Sequence, residues 1–218
     1  MDNEEARGNS DNSENRRLSI ERFAYDVFSY MLPLCGFPET AIPDTNFKQN
    51  VYDDENFVKK AGLLVLLVSM HMRDAWKTMF EMKYMLTRFT SLEMIQNFLI
   101  RIVEKNEAFR VADEATKVQV SLALYNEMIL FLDYKSLETH VASLATSWSK
   151  FYLKCITEDS DIEKILESSF LVFPEVSKQN GERIIGFIKE FAVPYGHLNK
   201  VSQLFEDLKI QSSRGNAE

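Results

Sequence analysis

The chain has 218 residues, of which 45% are hydrophobic and 27% charged, a composition typical of a globular protein rather than a disordered one. Its net charge of -8 argues against general nucleic-acid binding, which requires a basic surface, although a local basic patch remains compatible with it. Seven glycines and five prolines are few for a sheet-rich fold with many tight turns, so the composition predicts an all-α protein.

The cysteines and the apolar runs indicate the cellular setting. Cys35 and Cys155 are far apart in the sequence and do not suggest a disulfide framework. No apolar segment follows a basic start, and the longest apolar run, Ala61–Met70, is shorter than the roughly 20 residues that span a bilayer. We therefore expect an intracellular protein, cytoplasmic or nuclear or both, without a transmembrane segment.

Polarity divides the chain into a domain and two tails. Residues 1–18 are polar and predict a disordered tail, residues 19–209 a single all-helical domain, and residues 210–218 a second disordered tail. The first tail ends in Arg16-Arg17-Leu18-Ser19, which resembles a site for basophilic kinases such as the cyclic-AMP-dependent kinase. This resemblance implies phosphorylation of Ser19, and the alternative is that Ser19 is simply the N-cap of the first helix.

Two helices are predicted in the first 90 residues. Apolar residues at three- and four-residue spacing predict a helix over residues 20–32, which Pro33 and Gly36 end. A central helix begins after Glu55 and extends to about Phe89. Its Ala61–Met70 part is apolar nearly all round, which predicts the buried hub of the fold, and the following part is apolar on one side. A break near Ser69–Arg73 would divide this segment into two helices.

Start signals divide the rest of the chain into further helices, so that about eight are expected. The predicted N-caps are Thr90, Asp113, Ser136 and Ser160. A seventh helix lies between Gly181 and Pro194, and an eighth carries Leu198–Leu208. The N-caps recur about every 23 residues, so a pair of helices occupies about 46 residues. This length is within the ~40–47-residue period of HEAT- and armadillo-type helix pairs, a match in spacing only. The alternatives are a stacked helix-pair array and a compact orthogonal bundle around a central apolar helix.

The sequence contains no motif for catalysis, metal binding or nucleotide binding. The three histidines, His71, His140 and His197, have no metal-ligand spacing, and neither a nucleophile elbow nor a glycine-rich phosphate loop occurs. We therefore expect no metal, no cofactor and no enzymatic activity. An enzyme would require dispersed residues that folding brings together, such as Cys35, whose turn position is compatible with exposure, whereas Cys155 has the pattern of a core residue.

Methionines are concentrated in and after the central helix, where six of the nine fall between Met70 and Met94. Methionine suits irregular core gaps and adaptable binding surfaces. We predict a non-catalytic protein-interaction module, an adaptor or a subunit of a larger complex, that binds a partner segment such as an amphipathic helix or a peptide. The predicted contact residues are Met70, Arg73, Lys77, Phe80, Tyr84, Met85 and Phe89.

Three alternatives stay open from the sequence. Self-association into a homo-oligomer would cover the same face. A helical container for an apolar ligand such as a lipid would need a cavity of several hundred Å³. A third alternative is the enzyme with dispersed catalytic residues, which would need at least two histidine, Cys35 or buried carboxylate groups within hydrogen-bonding reach.

Overall fold

The computed structural model describes residues 5–42, 52, 56–155 and 161–167. They form six α-helices: α1 (Glu5–Leu34), α2 (Phe57–Thr87), α3 (Leu92–Lys105), α4 (Glu107–Val111), α5 (Glu114–Tyr134) and α6 (Val141–Cys155). A 3-10 turn covers Glu39–Ala41, and residues 162–167 are also helical. The described residues contain no strand, which confirms the prediction of an all-α protein.

The four longest helices close into a bundle. α1 packs against α2 on one side and against α6 on the other, while α5 packs against both α2 and α6. The contact between α1 and α6 joins helices that are distant in the sequence, whereas a stacked array keeps its contacts between neighbouring units. Of the two predicted architectures, the described helices therefore adopt the bundle, and α3 packs on its side against α5 and α6.

The helix that is buried on every side is α5. Each residue from Ser121 to Ile129 is buried, including the polar side chains of Asn126 and Glu127. This burial follows from the position of α5, which contacts α1, α2, α3 and α6. The sequence pattern points instead to Ala61–Met70 in α2, which is largely buried but leaves several side chains partly exposed.

α1 continues through Pro33 to Leu34, two residues beyond the predicted end, and then stops at Gly36 as predicted, in a Schellman motif. The amide of Phe37 donates to the carbonyl of Leu32 at 3.0 Å, and the amide of Gly36 donates to the carbonyl of Pro33 at 3.1 Å. Gly36 has a φ of 90°, a conformation that favours glycine. The motif turns the chain so that Phe37 is buried against the bundle.

α5 ends in the same motif, with Ser136 in the glycine position. The amide of Leu137 donates to Leu132 at 2.9 Å, the amide of Ser136 donates to Asp133 at 2.8 Å, and Ser136 has a φ of 53°. The prediction that Ser136 starts the next helix is therefore wrong, and α6 begins at Val141. Serine is common both at N-caps and in turns, so the residue type alone does not distinguish the two ends of a helix.

The predicted N-caps have mixed outcomes. Asp113 is confirmed, because its Oδ1 accepts from the amide of Thr116 at 2.8 Å. Thr90 is wrong by one residue, since the side chain of Ser91 accepts from the amide of Met94 at 3.2 Å and thereby begins α3. The short helix α4, which Asn106 caps, was not predicted.

Two helices are longer than the sequence predicts. α1 begins at Glu5, within the segment for which the sequence predicts a disordered tail, so Ser19 lies inside the helix and is not its N-cap. α2 is continuous through Ser69 and Arg73, where a break was predicted. The hydrogen bonds that these two side chains make to Glu127 leave the helical backbone intact.

Several predictions concern residues outside the described part of the chain. They include the N-cap Ser160, the seventh and eighth helices and the tail at residues 210–218. Asp161 is described, and its carboxylate accepts from the amide of Glu163 at 3.0 Å at the start of a helical segment.

Candidate functional site

A charged pair lies inside the bundle between α2 and α5. Arg73 is 8% exposed and Glu127 is 7% exposed. The Nη2 of Arg73 donates to Oε1 of Glu127 at 2.6 Å, and its Nε lies 3.0 Å from both carboxylate oxygens. Ser69, one helical turn earlier on α2, also donates its hydroxyl to this carboxylate. Each side chain can stay charged inside the bundle because its partner neutralises it. A buried charge without its partner would be strongly destabilising.

Cys35 and Asn126 extend this buried polar cluster. The Sγ of Cys35 lies 4.0 Å from Nη2 of Arg73, and the side chain is buried although its position in a turn suggested exposure. Burial raises the pKa of Cys35 to about 11, and Arg73 opposes only part of this shift. The thiol is therefore protonated at neutral pH and is a poor nucleophile. Asn126 lies beside this thiol and lowers its pKa in small part, but neither its amide nitrogen nor its oxygen makes a hydrogen bond of good geometry.

A pocket of about 290 Å³ adjoins the polar cluster. It lies between the turn that follows α1, the middle of α2 and the C-terminal end of α5. The apolar part of its wall consists of Phe37, Phe80, Leu130, Phe131 and the ring of Tyr134. The polar part consists of Cys35, Arg73, Lys77, Glu127 and Asp133.

The rim of this pocket carries two exposed charges of opposite sign. They belong to Lys77 on α2 and Asp133 on α5. The Nζ of Lys77 lies 5.3 Å from the ring centre of Tyr134, which is within the range of a cation–π contact. Within the described ranges, neither Lys77 nor Asp133 forms an ion pair with another side chain.

A second feature of α2 is a row of exposed apolar side chains near its C-terminal end. We call Met82, Met85 and Leu86 the methionine row; they are 61%, 75% and 80% exposed. Residues three and four positions apart lie on the same face of a helix, so the three side chains are adjacent. At about 100° per residue, this face is opposite to the one that carries Phe80 and Tyr84.

Aromatic rings and cations surround the same end of α2. Arg88 lies 4.7 Å from the ring centre of Tyr84, and the Nζ of Lys83 lies 5.8 Å from the ring centre of Phe98. The described residues provide no carboxylate partner for Lys83 or Arg88. The neighbouring Glu81 is already engaged, because Lys135 lies 2.7 Å from it.

The residues predicted for partner binding do not form one surface. Arg73, Lys77 and Phe80 line the pocket, and Met85 belongs to the methionine row. The other three lie against the core, where Met70 and Phe89 are buried and Tyr84 is partly buried. Their role in partner binding stays a prediction.

Sequence patterns did not indicate Glu127, Asp133 or Tyr134, and they indicated Cys35 only for an enzyme with dispersed residues. One signal was available, because Glu127 is the single charged residue between Val118 and Leu132. A carboxylate in such an apolar stretch of helix indicates a buried partner, although not which one.

The remaining candidate residues lie elsewhere. His71 is exposed on α2, the Nδ1 of His140 lies 3.6 Å from Glu138, and His197 is outside the described residues. In the part of the chain that the structure describes, no group of three histidine, cysteine or acidic residues is placed to hold a metal ion. Ser19 is exposed on α1, and its phosphorylation stays a prediction.

Neither a membrane-spanning helix among the described residues nor a similarity to known proteins points to a function. None of the described helices has both the length and the apolar character that crossing a bilayer requires. No protein-family model matches the chain, and no curated protein and no solved structure matches it.

Proposed function

We propose that this chain is a non-catalytic helical interaction module that binds an acidic amphipathic helix of a partner protein along the methionine row. The observation that supports this function is the exposure of Met82, Met85 and Leu86 side by side on α2. An adaptor or complex subunit in the cytoplasm or the nucleus is the setting that the proposal implies.

The spacing and residue type of the row suit a helical partner. Positions i, i+3 and i+4 are those through which amphipathic helices make apolar contacts with a groove or with another helix. Two of the three side chains are methionines, which are flexible and polarisable and adapt to different partner surfaces. Burying these side chains is favourable by about 25 cal/mol for each Å² of apolar surface removed from water.

The charge near the row indicates an acidic partner. Lys83 and Arg88 have no carboxylate partner among the described residues, although the whole chain has a net charge of -8. Both cations lie against aromatic rings, which keeps them near this end of α2. Glutamate or aspartate residues on the flanks of a partner helix would complement them and would fix its orientation.

Two synthetic peptides test this proposal with the full chain. Both are amphipathic helices of about 18 residues with leucines at i, i+3, i+4 and i+7, and one has glutamates and the other lysines on its flanks. We expect the glutamate peptide to bind more tightly in calorimetry. The substitutions Met82→Ser and Met85→Ser together should weaken its binding by about tenfold or more. Charge reversal at Lys83→Glu and Arg88→Glu should favour the lysine peptide.

Val111 provides the matched control, because it is an exposed apolar residue of α4, 86% exposed and outside the row. Val111→Ser should leave peptide binding unchanged. Binding of both peptides with equal affinity, or binding that is insensitive to the row, would contradict the proposal. A dimer in light scattering that Met82→Ser and Met85→Ser abolish would assign the row to a second copy of this chain and would also overturn the proposal.

The alternative function of a lipid container receives less support. The pocket beside Arg73 has about 290 Å³ and carries four charged side chains, whereas an acyl chain needs a long apolar cavity. Native mass spectrometry of the purified chain tests this alternative directly, since a container would retain a lipid.

A further inference from the structure

We propose that the pocket between α2 and α5 binds a small zwitterion with an apolar body, of the chemical class of a large apolar α-amino acid. This proposal concerns a different face of α2 from the methionine row and does not depend on the partner proposed above.

The charged side chains of the pocket are balanced. Arg73 and Lys77 are positive, whereas Glu127 and Asp133 are negative, so the four formal charges sum to zero. Arg73 and Glu127 neutralise each other inside the bundle. Lys77 and Asp133 remain on the rim, with no ion-pair partner among the described residues. A ligand with one carboxylate and one ammonium group can pair with both, whereas a simple anion or cation would meet a charge of its own sign.

The apolar wall specifies the body of the ligand. Phe37, Phe80 and Phe131 present aromatic surface beside the two rim charges, and Leu130 adds aliphatic surface. Aromatic walls bind apolar side chains by burial and rings by stacking or edge contacts. A volume of about 290 Å³ lies at the lower end of the range of about 300–1,000 Å³ that is typical of small-molecule sites, which suits a ligand as small as a single amino acid.

The inner wall of the pocket contains more polar groups than packing requires. A buried ion pair is often no more stabilising than an apolar pair of the same shape, so Arg73 and Glu127 are not explained by stability alone. Behind this wall, Asn126 is buried beside the Cys35 thiol that lines the pocket, and its amide makes no hydrogen bond of good geometry. Polar groups that converge on a pocket are typical of ligand sites.

A panel of four small molecules tests the ligand class with the full chain. The molecules are L-phenylalanine, N-acetyl-L-phenylalanine, L-phenylalaninamide and octanoate, each titrated and followed by calorimetry or by NMR. We expect L-phenylalanine to bind. The acetylated compound lacks the ammonium and the amide lacks the carboxylate, so each should bind about tenfold or more weakly. Octanoate has an apolar body and a carboxylate but no ammonium, and it should also bind more weakly.

Substitutions at the rim locate the site. Lys77→Met and Asp133→Asn change exposed side chains, so the fold should persist, and each should weaken L-phenylalanine binding by about tenfold. Lys59→Met and Asp74→Asn are matched controls, because both are exposed residues of α2 that do not line the pocket. These two controls should bind like the wild type.

Three results would overturn the proposal. The first is the absence of binding by L-phenylalanine at millimolar concentration. The second is equal or tighter binding by octanoate or N-acetyl-L-phenylalanine, which would identify a site for carboxylate amphiphiles. The third is binding that neither Lys77→Met nor Asp133→Asn weakens.

Discussion

The buried polar groups on the two faces of α5 are satisfied in different ways, by neutral hydrogen bonds towards α6 and by an ion pair towards α2. Towards α6, the indole nitrogen of Trp148 donates to the hydroxyl of Ser121 at 2.9 Å, and the hydroxyls of Tyr125 and Ser147 lie 3.3 Å apart. These groups are neutral. Towards α2, Glu127 carries a negative charge. The guanidinium of Arg73 neutralises this charge, and the hydroxyl of Ser69 donates a hydrogen bond to the carboxylate.

The α6 side of α5 therefore serves packing alone, whereas the α2 side has polar groups that packing does not require. On the α6 side, short neutral side chains satisfy one another and leave Trp148 and Tyr125 fully enclosed. On the α2 side, a pocket adjoins the ion pair, and the amide of Asn126 makes no hydrogen bond of good geometry. Buried charges and unsatisfied amides are stable only when the surrounding structure holds them, and they concentrate at functional sites. The α2 side is therefore where we place ligand binding.

The largest expected effect is the loss of one member of the ion pair. Glu127→Ala leaves the Arg73 guanidinium buried without its carboxylate and should lower the free energy of unfolding by about 3–5 kcal/mol. Urea denaturation followed by circular dichroism measures this change.

The paired substitution Arg73→Met with Glu127→Leu is the control. It removes both charges and fills their volume with apolar atoms, so stability should lie within about 1–2 kcal/mol of the wild type or above it. A double variant that loses as much as the two single changes added together would show that the pair is not coupled in this way.

A smaller effect is expected from the pH dependence of Cys35. Burial raises the pKa of this thiol from an ordinary value of 9.0 to about 11, so the native state keeps the proton to a higher pH than the unfolded chain does. The contribution is fully present below pH 9 and is lost as the pH rises through 11, by an amount on the order of 2 kcal/mol.

Cys35→Ala supplies the comparison, measured by urea denaturation from pH 8 to 11. The wild type should lose more stability than the variant over this range. Buried tyrosines such as Tyr125, whose pKa burial raises to about 12, are present in both proteins and cancel in the difference. Parallel stability curves would show that the thiol does not titrate in the unfolded state more readily than in the native one.

The neutral face of α5 should respond more weakly than the ion pair. Ser121→Ala removes the acceptor of the Trp148 indole and should cost about 1–2 kcal/mol, and Trp148→Phe removes the donor. The double variant should cost less than the two single changes together, because neither leaves its partner unsatisfied once both are gone. Additive costs in urea denaturation would argue against this hydrogen bond.

Local signals in the sequence predicted the parts of the fold that depend on neighbouring residues. The all-α class, the turn at Gly36 after α1 and the start of α5 at Asp113 each follow from residue types and spacing within a few positions. The end of α5 at Ser136 was misassigned because a serine suits both a cap and a turn.

The site depends on contacts between distant residues, which a single sequence does not specify. Arg73 and Glu127 are 54 positions apart, and the pocket adds the turn after α1 to both of their helices. Arg73, Lys77 and Phe80 were predicted as partner-contact residues from the pattern of α2 alone. The α5 residues that complete the site depend on how α2 packs against α5 in the bundle, which α2 by itself does not specify.

The two Schellman motifs allow the smallest effect to be measured as a pair with opposite signs. Gly36, which lies at the pocket, has a φ of 90°, and Ser136, at the end of α5, has a φ of 53°. Gly36→Ala forces a Cβ into a conformation that disfavours it and should lower stability by about 1 kcal/mol, whereas Ser136→Gly relieves the same penalty and should raise it by about 0.5–1 kcal/mol. Thermal and urea denaturation measure both changes. Equal signs for the two substitutions would contradict the assignment of the same motif to both helix ends, and a loss much larger than about 1 kcal/mol at Gly36 would show that the pocket wall, and not the backbone conformation alone, depends on the glycine.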